Sequence, residues 1–172
     1  FVLQPYNALS YSFFGYNVRN PLLADSRVRK AFTHAVNRQE MLDSFFNGQG
    51  TVISGPFAPG SWAYNLDVKP LPFDPERSRA LLAQAGFRPG ADGILEKDGR
   101  KLALSLKVPI EKESEGVKRV VLAFQNYLKR VGIAITVEFK EWQAWKEDVF
   151  VEHDFDIMFA SWVFDDSADI SS

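Results

Sequence analysis

Between Trp162 and Asp169 the chain reads WVFDDSAD, which places three carboxylates, Asp165, Asp166 and Asp169, in five positions beside Trp162 and Phe164. Carboxylates this close can present a paired acceptor to an ammonium group, join an oxygen cage around a calcium-like cation, or form a solvated acidic turn. The cage is the weakest of the three. A calcium loop needs more oxygen ligands at alternate positions and a Gly turn, and no D-x-[DN]-x-[DN]-G array is present. A separated pair such as Asp165 and Asp169 could also act as acid and base in a hydrolase.

Other chemistry finds little support. His34 and His153 stand apart with no ligand-spaced third partner, so each reads as structural or surface, and neither a metal nor a cofactor is expected. Cysteine is absent, which removes disulfides, thiolate metal sites and a Cys nucleophile together. G-x-S-x-G, H-E-x-x-H and phosphate-binding glycine loops are missing as well. Glu111, Glu113 and Glu115 are explained by the positive end of a helix. Binding without turnover is the expected activity.

The carboxylates need a scaffold, and the chain can supply one. Its 172 residues, 46% hydrophobic and 24% charged, suffice for one well-buried core. A net charge of -2 with scattered basic residues argues against nucleic acid as a partner. No apolar run is long enough to span a bilayer. The first residues lack the ordered parts of a secretory signal, and the chain reads as a piece of a longer protein.

Strands and helices alternate. Leu9 to Val18 is a β-prone aromatic run, followed by an extended approach through Pro21. Asp25 caps a helix whose Val28, Ala31, Phe32, Ala35 and Val36 share one face. Asn37 and Glu40 make a capping box for a second helix bearing Met41, Leu42, Phe45 and Phe46. Arg27, Arg29 and Arg38 read as solvated or locally paired. A long irregular segment from Thr51 to Phe73 comes next, with Phe57, Trp62 and Tyr64. Either it wraps the domain and buries those rings, or Trp62 or Tyr64 borders a ligand cleft.

Asp74-Pro75 opens the clearest helix, closed by Gly86, and Asp98-Gly99 marks a hairpin. Leu102, Leu104 and Leu106 alternate with Ala103, Ser105 and Lys107, which predicts one buried and one wetter face. Ser114 to Val131 is a core-facing helix stopped by Gly132. Ile133–Phe139 reads as a strand, Trp142–Phe150 as a short helix and Asp154–Trp162 as a last strand. The fold class is α/β, a mixed open sheet flanked by helices, in a single unit. In such sheets ligands bind beyond the carboxyl ends of the strands, where the acidic cluster falls.

The run from Asn17 to Arg38 resembles the peptide/nickel-type extracellular solute-binding proteins of ABC importers. Asn17, Pro21, Asp25, Arg27, Val28, Arg29, Ala31, Ala35 and Arg38 match that family's N-x-x-x-P-P-x-x-D-x-R-V-R pattern and its continuation, with Leu22 replacing a Pro and Asn37 an Asp. RSRALLAQAGF from Arg77 resembles the family's next helix. The resemblance implies one lobe of a two-lobe, type II-like periplasmic binding fold over residues 1–172, with 1–18 near the inter-lobe hinge. It implies a monomeric receptor, periplasmic or extracellular and either free or lipid-anchored, that delivers a small peptide to a membrane permease. Family members carry W-x-x-D at the end of the last strand, so Trp162 would line the pocket and Asp165 hold the peptide's α-amino group. Asp169 resembles the family's following Asp-Pro. Phe164, Asp166, Trp62 and Tyr64 complete the expected ligand-binding set. Oligopeptide binders have an Arg where this chain has Phe159, which removes a partner for a short peptide's carboxylate and keeps oligosaccharides and nickel chelates in view.

Overall fold

The computed structural model describes residues 10–57, 59, 61–110 and 115–163. Strand β1 (Ser10–Tyr16) leads through Asn17 into α1 (Pro21–Ala24), α2 (Ser26–Ala35) and α3 (Arg38–Phe46). Helix α4 (Pro75–Gln84) precedes a small antiparallel sheet of β2 (Arg88–Pro89), β3 (Leu95–Lys97) and β4 (Arg100–Lys101). The chain continues through β5 (Ala103–Ile110), α5 (Glu115–Lys129) and β6 (Ala134–Glu141). It then forms α6 (Trp142–Lys146), a π-helical turn (Glu147–Val151) and β7 (Ile157–Val163).

The main sheet has the order β1-β7-β5-β6. β5 runs parallel to both neighbours, whereas β1 is antiparallel to β7. The sheet is therefore mixed and open, as its alternating sequence predicts.

Local chemistry explains the helix starts. The Asp25 carboxylate accepts from the Arg27 amide and caps α2, and Asp74 does the same for α4 from Arg77, with Pro75 immediately after it. At α3 the Asn37 side chain accepts from the Glu40 amide, while its own amide group donates to the Glu40 carboxylate. Asp98 and Gly99 both adopt positive φ, which fits the twist of a two-residue hairpin between β3 and β4.

One departure from the sequence reading lies at Pro21. The approach to α2 is not extended, because Asn20 caps a separate helical turn by accepting from the Leu22 amide, with Pro21 in the first helical position. A second departure is the Trp142–Phe150 segment, which is a short α-helix running directly into the π-helical turn.

The core lies on one face of the sheet. Leu104, Leu106, Val108, Ile135, Ile157 and Phe159 meet Val28, Phe32, Val121, Phe124 and Leu128 of α2 and α5. Phe14 stacks on Phe124 with ring centroids 3.8 Å apart, and Tyr16 meets Phe32 edge-on. Phe159 packs against Phe14 in this core. Its apolar identity therefore answers to packing, and the side chain does not reach the strand-end rim where an Arg was expected to matter.

The other face corrects the expectation of a wet surface. α6 and the π-helical turn cover it, so Lys107 is only 3% exposed and Trp145 and Val149 are buried there. Alternation along a strand assigns residues to faces, but it cannot tell which face a later crossover will cover.

Candidate functional site: an aromatic rim at the strand ends

The carboxyl ends of β5, β6 and β7 form one edge of the main sheet, joined by the start of antiparallel β1. Ile110, Trp142, Trp162 and Val163 stand along this edge and all are exposed, the two indoles at 44% and 56%. Trp162 lies across the ladder from Tyr11, whose ring is 5.5 Å from Phe13. These three residues share the sheet face that α6 covers farther along. Large rings left half in water at the strand ends provide stacking surface for a ligand.

Trp142 has structural support of its own. Its ring stacks on buried Trp145 with centroids 5.3 Å apart and planes within 11°, and the Lys146 ammonium sits 5.5 Å above it. Trp145 donates its indole N–H to the Lys107 carbonyl, and Phe150 closes the cluster edge-on. The sequence reading missed Trp142 as a site residue. The available signal was its place just past a β-prone run, close to a strand's carboxyl end as Trp162 is in β7.

Below the rim lies a charge cluster. The Lys107 ammonium donates to Asp148 and Asp154 at 2.8 Å each, and Lys140 pairs with the same Asp148 oxygen at 2.5 Å. Burial opposes the charge on Lys107, but its hydrogen bonds to the two carboxylates outweigh that cost and hold its pKa above the ordinary lysine value. Hydrogen bonds from Lys107 and then Lys140 hold the Asp148 carboxyl below its usual value.

Of the expected ligand-binding residues, Trp162 stands on the rim. Phe164, Asp165 and Asp166, with Asp169, lie outside the described residues. Trp62 is 83% exposed and Tyr64 half-buried, so the segment between α3 and α4 does not bury its indole against the domain. Among the described residues no hydrogen bond or ring contact joins either to Trp162. The segment is tied instead to α2 and α3: Arg38 donates to the Leu71 and Ile53 carbonyls, and His34 bonds the Pro72 carbonyl.

At the opposite edge of the sheet is an open polar depression bounded by Asn17, Arg19, Asn20, Ser105, His153 and Asp156. Asp156 accepts from Asn20 and from the Ser105 amide and hydroxyl, and Asn17 donates to the carbonyls of His153 and Phe155. These partners satisfy one another and pin the corner between β1 and α1, so the rim is the better candidate for ligand.

The family model described as bacterial extracellular solute-binding proteins, family 5 Middle, matches residues 2–172. The chain belongs to this family. It is 34% identical over 170 residues to the oligopeptide-binding protein AppA of Bacillus subtilis, covering 95% of this chain and 31% of that protein. This family member thus spans about a third of such a relative.

The structure of Bacillus subtilis AppA in complex with a nonapeptide superposes with a TM-score of 0.84 at 33% identity, covering 91% of this chain and 32% of that one. NikA from Brucella suis, in complex with Fe(III)-EDTA, superposes at 0.80 and 28%, covering 90% and 31%. The family motif itself turns out to be structural. Arg27 pairs with Asp25 and donates to the Gln84 carbonyl, and Arg29 closes α1 through the carbonyls of Leu23 and Ala24.

Proposed function

We propose that this chain is one lobe of a solute receptor for an ABC importer, and that its rim of Trp142, Trp162 and Tyr11 receives a peptide. The supporting observation is a pair of exposed indoles at the carboxyl edge of a sheet whose fold matches a nonapeptide-bound relative at a TM-score of 0.84. In this reading residues 1–172 form a single lobe, residues 1–18 lie near the hinge, and Asp165 accepts hydrogen bonds from the peptide's α-amino group. The intact receptor is a periplasmic or extracellular monomer, lipid-anchored in some settings, that closes over its ligand and hands it to a membrane permease. It binds and does not turn over its cargo. One lobe supplies half of the contacts, so the isolated piece binds weakly.

The test compares free-amino and N-acetylated nonapeptides on the full-length receptor by calorimetry. The receptor should prefer the free amine by about tenfold or more, and Asp165→Ala should erase that preference. Equal binding of both peptides by the unmodified receptor overturns the ammonium anchor. A second reading, a metal chelate, comes from the likeness to NikA. A carboxylate-rich chelate would meet repulsion from Asp165 and Asp166, and thermal stabilisation by Fe(III)-EDTA but by no peptide would favour it.

A further inference from the structure

We propose that Lys107, buried beneath the sheet's aromatic rim, is a positioning residue that fixes the stacked pair Trp142–Trp145 and thereby sets how tightly the rim binds peptide. The proposal rests on the receptor reading above.

Lys107 lies in the middle of β5 with its side chain under α6 and the π-helical turn. Removing a charge from water is costly, so a lysine here requires partners. Lys107 meets the overlying segment at three points, two through its ammonium and one through its main chain, which a substitution would leave in place. Its ammonium takes Asp148 within the π-helical turn and Asp154 just beyond it, and its carbonyl accepts from the Trp145 indole at 3.2 Å. Trp145 in turn carries the half-exposed Trp142 on its face. The path from buried ammonium to rim runs through Asp148 into the π-helical turn, whose Phe150 meets Trp145 edge-on, and from Trp145 to the stacked Trp142.

The turn's geometry fits this role. Five residues of π-helix offset the chain where Asp148 must reach the Lys107 ammonium, and single π turns of this kind gather at functional sites. The cluster also permits a clean removal. Lys107→Met leaves Asp148 paired with Lys140, and Asp154, whose side chain is 81% exposed, can be hydrated. Neither carboxylate is left buried and unpaired, so the lobe should still fold.

The experiment uses the full-length receptor and free-amino nonapeptides as probe, with two readouts. A stacked indole pair gives an exciton couplet in circular dichroism, which Trp142→Ala must abolish. Lys107→Met is expected to keep a cooperative melt, weaken the couplet and lower peptide affinity about fivefold to tenfold. Lys107→Arg should restore part of both. In a Trp142→Ala background, Lys107→Met should cost no further affinity, because its effect passes through that ring. An intact couplet in Lys107→Met overturns the proposal, as does an additive loss in the double variant. Should Lys107→Met fail to melt cooperatively, Asp154→Asn releases one arm of the clamp, and an unchanged couplet there overturns it equally. If the unmodified receptor binds none of the peptides, the receptor reading and the proposed effect on peptide affinity fail together, while the couplet still reports whether Lys107 positions Trp142.

Discussion

The two faces of the main sheet are built on different principles. Under α2 and α5 the contacts are mainly apolar, with Leu106, Phe32 and Ile157 fully buried. Under α6 the covering layer is short and is held by two lysines, two aspartates and an indole N–H. Apolar packing is non-directional and tolerates small shifts, whereas an ion cluster fixes direction at small net gain in stability. The first face therefore carries the fold, and the second sets the orientation of the rings that stand at the strand ends.

Substitutions can break this contrast. Phe32→Ala should cost about 3–5 kcal/mol and lower the midpoint of chemical unfolding for the whole unit. A loss under about 1 kcal/mol would mean that the core face is not the dominant one. Leu106→Ala on the same face should cost about 2–5 kcal/mol by the same measurement. Asp25→Ala removes the α2 cap and should cost about 1 kcal/mol.

Acid sharpens the contrast. The Arg27 guanidinium holds the Asp25 carboxyl down at about 2, and Asp148 is held below its usual value by Lys107 and Lys140. Both carboxyls are depressed in the folded state, so their stabilisation is complete above about pH 4, the ordinary carboxylate range, and fades as pH falls through the folded values. Asp148→Asn should remove the part of the acid transition seen by the Trp142–Trp145 couplet and spare the part seen by helical signal. The smallest effect belongs to the rim. Trp162→Ala should change stability by no more than about 0.5 kcal/mol, because the ring is 56% exposed, while lowering peptide affinity.

The apolar face was legible in the sequence because its signals are local. Asp25, Asn37 and Asp74 announced their helices, and the spacing of Val120, Val121, Phe124 and Leu128 announced α5. The family motif was legible too, although its arginines serve loops and helix ends. The second face was not legible. Whether Lys107 is wet depends on a segment some forty positions later folding over it, as the separation of Lys107 from Asp148 makes plain. Asn20 misled for a related reason: Asn-Pro reads as extended until the Asn side chain is seen to cap the Pro21–Ala24 turn. Trp162 was found because it closes the last strand and opens a W-x-x-D run, and Trp142 was overlooked because no such run begins there.

The antiparallel ladder of β1 and β7 sets Ser10 opposite Val163. Such partners lie roughly 5 Å apart, close enough for a tight reverse turn to join them. Because β1 begins and β7 ends side by side, a pull applied at Ser10 and Val163 would open their ladder one bonded pair at a time from that end.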